Sequence, residues 1–401
     1  MKKVVFLFVA LATLMGCSRK PAQPEAEAEE DFEYMVDRFY DLAILRYRVP
    51  DFESLTVEQK ALVYYLSEAA LWGRDILYDQ NGAYNLRIRR TLEALYSRKP
   101  EAASQKPEWE AFERYLKRVW FSNGIHHHYA EDKFLPEFSQ EWFVEACREA
   151  GVEYDEAILP VMFDPAVMPK KVCQDAGKDL VLNSACNYYE GVTQAEAEAW
   201  YAAHRDTSDE PLWIGLNSKL VKDGNGNIVE RVFKAEGDGL YREALQHVVE
   251  NLEKAKAYAE NDKQRKVIEL LIEYNKTGNL KTFNDYAIAW VQDLDSRVDF
   301  INGFTEVYGD PLGITGAWES MVNFKNVAAT ERTRILSANA QWFEDNSPTD
   351  KRYKKPECRG ISAKVITAAV LAGDCYPATP IGINLPNANW IRKNYGSKSV
   401  T

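Results

Sequence analysis

Apolar residues recur at helical spacing along much of the chain. Thr56-Val57-Glu58-Gln59 matches a capping box, and Ala61, Leu62, Tyr65, Leu66, Ala69 and Leu71 follow it at intervals of three and four. The same texture predicts helices near Leu86–Tyr96, Trp109–Phe121 and Gln140–Ala150. Residues 31–150 therefore read as helical, punctuated by Gly124 and Pro136. From about Val152 the pattern changes: Ala157–Phe163 and Asp179–Asn183 are short apolar or β-prone runs, and Thr193 starts an Ala/Glu-rich helix through His204. Asn217–Lys222 and Ile228–Phe233 flank Asp223-Gly224-Asn225-Gly226-Asn227, which reads as a hairpin with strong turn chemistry.

Helical spacing returns over Tyr241–Ala259, Lys263–Tyr274 and Thr282–Asp293, and again from Val327 to Phe343. Ser347–Gly360 is a polar loop. Ile361–Ala372 is β-branched and apolar, as a buried strand would be. No repeat period stands out. The class is α+β, mostly helix around a small β core.

Composition narrows the function classes. The 401 residues are 46% hydrophobic and 12% aromatic, which excludes a disordered chain. A formal charge of −12 argues against a nucleic-acid partner, because bulk phosphate would go unneutralised. Five His limit metal and acid–base schemes.

The first residues read as a targeting segment. Lys2 and Lys3 precede an apolar run, Val4 to Leu14, too short to span a bilayer. Leu14-Met15-Gly16-Cys17 follows and resembles a bacterial lipobox. The resemblance implies removal of residues 1–16, acylation of Cys17, and a lipoprotein held at the cell envelope, on the outer-membrane or periplasmic side. Ser18 to Glu30 is a polar tether without core-forming capacity. The other five Cys (147, 173, 186, 358 and 375) are widely spaced, with no CxxC, and read as buried free thiols.

Motif chemistry is sparse. His126-His127-His128 cannot aim three rings at one metal from a regular helix or strand, and Asn123-Gly124 before it suggests a turn; a structural role is preferred. Asp223, Asn225 and Asn227 mimic the start of an EF-hand loop. Ile228 and Lys234 stand where Gly and Glu are required, so the segment reads as a turn. HExxH, G-x-S-x-G, P-loop and Rossmann patterns are absent.

Two segments are dense in Gly, Pro and hydrogen-bonding side chains: Phe304–Gly313 (FTEVYGDPLG) and Pro380–Asn387 (PIGINLPN). Their E-x-Y-x-D-P-x-G and G-I-N-L-P-N runs, together with Asn123–Pro136 (NGIHHHYAEDKFLP), resemble the dipeptidyl peptidase III family of zinc exopeptidases. The resemblance implies two lobes, the lower with a small β-barrel core and the upper helical and zinc-bearing. It divides the chain into residues 31–326 (lower lobe), 327–367 (part of the upper lobe) and 368–401 (return to the lower lobe). The family's zinc ligands, an HExxGH helix and a downstream Glu, are not in this sequence, so no metal ligand is assigned.

The resemblance further implies that Glu306 anchors the ammonium of a short peptide with a free amino terminus. Asn384 and Asn387 supply amides, and Asn389 stands where the family often has Asp. Tyr308 is the candidate catalytic residue, hydrogen-bonding the scissile carbonyl. Tyr129 would pack a substrate side chain, and the backbone at Gly382, Ile383 and Asn384 would accept the peptide as an added strand. Two other readings remain at this stage: a peptide-binding lipoprotein without hydrolysis, and an inactive truncated fragment.

Overall fold

A computed structural model describes residues 32–358, 361–377 and 379–401, with backbone alone for 361–363. The targeting segment, the tether and Cys17 lie outside the described residues. Two compact units emerge, divided after Arg48. In the first, β1 (Met35–Phe39) and β2 (Leu42–Leu45) form an antiparallel hairpin around Tyr40-Asp41, with Tyr40 at φ 50°. The stretch was expected to be helical. Its Met-Val-Asp-Arg-Phe alternation has period two, and the two-residue turn closes it as a ribbon.

In the second unit the amino-terminal helices are α1 (Val57–Trp72), α2 (Arg74–Gln80), α3 (Asn85–Arg98), α4 (Glu101–Ser104), α5 (Glu108–Ser122), α6 (Gln140–Ala150) and α7 (Ile158–Phe163). Thr56 forms both halves of the expected capping box with Gln59. The apolar run at Ala157–Phe163 is helical rather than extended, and Asp179–Asn183 lies in turns. The strand β3 (Tyr189–Glu190) then joins the hairpin β4 (Ser218–Lys222) and β5 (Ile228–Val232), with α8 (Gln194–His204) between them in sequence. In the hairpin turn the Asp223 carboxylate accepts the N–H groups of Asn225 at 2.9 Å and Asn227 at 2.8 Å, which consumes it as turn chemistry.

The central layer follows. Helices α9 (Arg242–Lys256), α10 (Asp262–Thr277) and α11 (Leu280–Gln292) pack with α1 over an open antiparallel sheet. Its strands are β6 (Val298–Glu306), β7 (Ala317–Lys325) and β9 (Ile366–Gly373), in the order β6-β7-β9. Trp318, Phe300, Phe304 and Phe324 from this sheet join Leu62, Leu66, Leu252 and Leu271 in one core. A second, aromatic core (Phe112, Tyr115, Phe138, Trp142, Phe143) unites α5 and α6.

The segment Val327–Phe343 breaks at Asn339 into α12 (Val327–Ala338) and α13 (Ala340–Asn346). Ile361–Ala372 is two strands rather than one. It divides at Val365 into β8 (Ile361–Lys364) and β9, and much of β9 is half-buried. Finally β10 (Ile383–Leu385), α14 (Asn389–Tyr395) and β11 (Ser397–Val400) complete a third small sheet, β10-β11-β8.

Helix dominates at 44% against 17% strand, so the mixed, mostly helical class holds. The small barrel does not appear among the described residues: the strands fall into four separate sheets of two or three. Three strands leave two edges each, and closure demands more strands with a consistent tilt and stagger.

Gly373 ends β9 at φ +61°, and a Cβ there would lie 2.2 Å from the Trp318 carbonyl oxygen. Gly373→Ala should therefore destabilise the protein by about 1–3 kcal/mol in urea denaturation, while removing no contact. Gly177→Ala, where a Cβ meets nothing within 4 Å, controls for the left-handed φ alone.

Candidate functional site

The ends of the central sheet open into a cleft of about 620 Å³. Three carboxylates reach it from the sheet: two on strands and one just past a strand end. Glu306 is the last residue of β6, Glu319 lies on β7 opposite Gly303 and Gly373, and Asp374 follows the Gly373 turn. Glu131, from the loop after the His triplet, adds a fourth. Lys171 and Arg392 supply the lysine and arginine cations of the lining, so the acids outnumber them four to two.

Burial acts on every one of these acids. It pushes Glu319 up to about 8, and the neighbouring charges of Glu306 and Asp374 push in the same direction. Glu306 is raised first by burial and then by Asp374, against the pull of its bond from Asn387. Asp374 and Glu131 are raised by burial despite Lys171, whose ammonium lies 3.3 Å from Glu131 Oε1. The thiol of Cys375 donates to Glu319 Oε2 at 3.5 Å, while Glu319 Oε1 is buried with no hydrogen-bond partner among the described residues. An orphaned oxygen beside like charges is costly, and an entering cation relieves both defects.

The loop after β6 is held rigidly. Asp310 accepts the N–H groups of Leu312 at 3.0 Å, Ile314 at 2.9 Å and Thr315 at 2.8 Å, and the Tyr189 hydroxyl at 3.0 Å. That frame leaves Tyr308 81% exposed on the cleft wall, its ring held by the chain and not by packing. Across the cleft, Tyr129 is 71% exposed beside His128. The His triplet shapes this loop. Buried His126 places Nε2 2.8 Å from the Met168 carbonyl, and burial lowers its pKa to about 4. His127 Nδ1 accepts the N–H groups of Tyr129 at 3.1 Å and Ala130 at 3.0 Å. All five described Cys are free thiols.

The third wall is the Pro380–Asn387 segment. Gly382, Ile383 and Asn384 line the cleft, and Asn387 Nδ2 donates to Glu306 Oε2 at 3.3 Å. The side-chain amide of Asn387 thus ties the two sequence segments together. Strand β10 pairs only with β11, so its other edge offers unpaired backbone groups among the described residues.

Glu306, Tyr308, Tyr129, Gly382, Ile383, Asn384 and Asn387 thus share one cleft although they span residues 129 to 387. Asn389 does not join them: it is the exposed first residue of α14, outside the lining. Sequence reasoning missed Glu319, Asp374, Glu131, Lys171 and Arg392. A signal existed for Glu319, a single acid inside the apolar run Ala317–Val322. Among the described residues no group of three or more His, Cys, Asp or Glu could hold a metal ion.

Residues 220–401 match the sequence model of peptidase family M49. Dipeptidyl peptidase 3 of Dictyostelium discoideum is 25% identical over 382 residues, covering 87% of this chain and 53% of that protein. The human dipeptidyl peptidase 3 is 25% identical over 398 residues, covering 87% and 52%. The chain spans about half the length of these curated relatives. The solved structure of DPP III from Caldithrix abyssi superposes with a TM-score of 0.64 at 22% identity, covering 88% of this chain and 56% of that one, which is a likeness of fold. By sequence and by fold the chain is thus similar to proteins of the dipeptidyl peptidase III kind.

The pH dependence of stability tests the buried acid. Glu319 has its folded pKa raised above the unfolded value, so the folded state binds the extra proton and stability falls as pH rises from about 4.5 to about 8. Glu319→Gln keeps the neutral shape. Its melting temperature should match wild type near pH 5 and exceed it increasingly towards pH 9, by the equivalent of a few kcal/mol at most.

Proposed function

We propose that this chain forms the substrate-binding part of a dipeptidyl peptidase III-like metallopeptidase, which releases dipeptides from the free amino end of short peptides. The observation that carries the reading is the cleft's excess of buried, under-compensated carboxylate around Glu306 and Glu319. A peptide ammonium supplies the missing charge and three donors. In this reading Glu306 takes the ammonium while Asn387 holds its carboxylate in place, and Asn384 adds an amide from the facing wall. The exposed edge of β10 pairs with the extended peptide backbone, which favours broad side-chain tolerance. Tyr129 packs against a substrate side chain, and Tyr308 donates to the scissile carbonyl, where oxyanion charge develops.

Relatives of the M49 family are zinc-dependent peptidases in general, and the described residues offer no ligand set for such an ion. In the proposed reading the hydrolytic ion is held by residues outside this chain. In this reading the helices α12 and α13, with Ile335, Leu336, Trp342 and Phe343 exposed, belong to the helical lobe, while β8 and the start of β9 belong to the sheets below it.

Titration calorimetry with a tetrapeptide should give measurable binding for the free amine and at least a tenfold loss after N-acetylation. Glu306→Gln should erase most of that difference. Equal affinity for the two peptides would refute the ammonium site. Binding near pH 7 should also release protons, because an ammonium lowers the pKa of Glu319; the heat then varies with the ionisation enthalpy of the buffer.

The envelope location is a separate proposal resting on Leu14–Cys17. Expressed with its first 16 residues in a bacterium, the chain should fractionate with membranes and incorporate labelled palmitate. Cys17→Ala should abolish the label; persistent labelling would place the lipid elsewhere.

A further inference from the structure

The cleft's four acids do not share its cations evenly. Residues 131–133 and 169–171 run antiparallel, joined by a bridge between Asp132 and Lys170. The Lys171 N–H donates to the Glu131 carbonyl at 2.8 Å, and the Lys133 N–H to the Pro169 carbonyl at 3.0 Å. The Lys170 and Lys171 carbonyls accept the N–H groups of Ala185 at 2.9 Å and Cys186 at 3.1 Å. Cross-strand neighbours share a face, and successive residues alternate between faces. Asp132 and Lys170 therefore stand together on one face, exposed, with their charged atoms 2.5 Å apart. Glu131 and Lys171 stand together on the other face and line the cleft.

The Lys171 side chain is mostly buried, with Nζ 3.3 Å from Glu131 Oε1. The same ammonium counteracts the effect of burial at Asp374. Among the described residues no lysine or arginine does this for Glu306 or Glu319. What opposes burial there is hydrogen bonding, from Asn387 to Glu306 and from Cys375 to Glu319. Arg392 is exposed on α14 and pairs with none of the four acids among the described residues. Buried His126, in the field of Lys171, has its pKa lowered to about 4 and adds no second cation near pH 7. One ammonium thus covers two acids, and the other two are left open. An arriving cation gains most at an acid without a partner, because a paired acid must first give up its counter-charge.

We infer that Lys171 is a positioning residue for the bound peptide: by masking Glu131 and Asp374 it leaves Glu306 as the acid that takes the ammonium, and so fixes where the amino end sits. Asp374 acts on both Glu306 and Glu319, so masked and open acids lie within reach of one another's charge and compete for one cation. The inference rests on the ammonium reading for its functional consequence, but the sharing of charge can be measured without any peptide.

Calorimetry compares the free-amine tetrapeptide with its N-acetylated form in wild type, Glu306→Gln, Lys171→Met and the double variant. In the native background Glu306→Gln should erase most of the preference for the free amine. In the Lys171→Met background a preference of about fivefold should survive Glu306→Gln, because Glu131 and Asp374 then accept the ammonium. Lys171→Arg, which keeps the charge, should restore the native pattern. A merely structural lysine would not transfer amine recognition from one acid to others. Should Lys171→Met not fold, Lys171→Met with Glu131→Gln removes the ion pair as a unit, a change that commonly preserves stability, and Asp374 must then sustain the preference. Loss of the preference on Glu306→Gln in the folded background that lacks Lys171 overturns the proposal. The arm without peptide is melting temperature against pH. Glu131 and Asp374 have folded pKa values above their unfolded ones, and loss of Lys171 raises them further, so stability falls more as pH rises. Lys171→Met should therefore lose more melting temperature than wild type between about pH 5 and 9, and Asp374→Asn in that background should recover part of the loss. Equal pH profiles with and without Lys171 overturn the proposal. If wild type fails to discriminate the free amine while the pH profiles behave as stated, the ammonium reading falls and the sharing of charge stands.

Discussion

One buried carboxylate, Asp299, ties the central sheet to the small sheet whose Asn384 lines the cleft. Burial alone would raise its pKa, but the ammonium groups of Lys398 and Lys364 more than offset that and hold it below the ordinary value. Burial lowers Lys398 to about 8, so the cluster carries charge at a real desolvation cost. Its geometry joins the main sheet to the carboxy-terminal sheet, and the cleft lies where those two sheets and the Asn123–Pro136 loop converge.

The two ends of β6 treat their acids in opposite ways. At Asp299 each carboxylate oxygen has partners, two ammoniums on one and two N–H donors on the other. At Glu306 and on neighbouring β7 the acids are left short, with Glu319 Oε1 unpartnered and the surrounding carboxylates raising one another. The first arrangement fastens a structure. The second leaves unfavourable electrostatics uncompensated, the opposite of the structural ion pair at Asp299.

Much of the helical framework was legible in the chain. The box at Thr56, the helix start at Thr193, the helix Gln140–Ala150 and the Asp223–Asn227 turn all follow from local rules of period, capping and turn chemistry. Strands β6 and β7 were not legible. Both of their faces are buried, so apolar residues do not alternate with polar ones, and Asp299, Asn302, Glu319 and Asn323 interrupt what would otherwise read as apolar runs. The segments around Glu306 and Asn384 could be singled out only by their composition and a family likeness, and their neighbours in space could not be named at all.

Local sequence, then, determined where helices start, where the hairpin turns and which loop residues are rich in donors and acceptors. Each of those outcomes depends on groups a few residues apart. Tertiary structure alone decided that the sheets among the described residues stay open, that Asn389 lies outside the cleft lining, and that Glu131, Glu319 and Asp374 gather with Glu306. Charge repulsion opposes that gathering, and no local preference encodes it. It exists because strands β6, β7 and β9 end together, and the packing of the core beneath them supplies the free energy that holds like charges in one place.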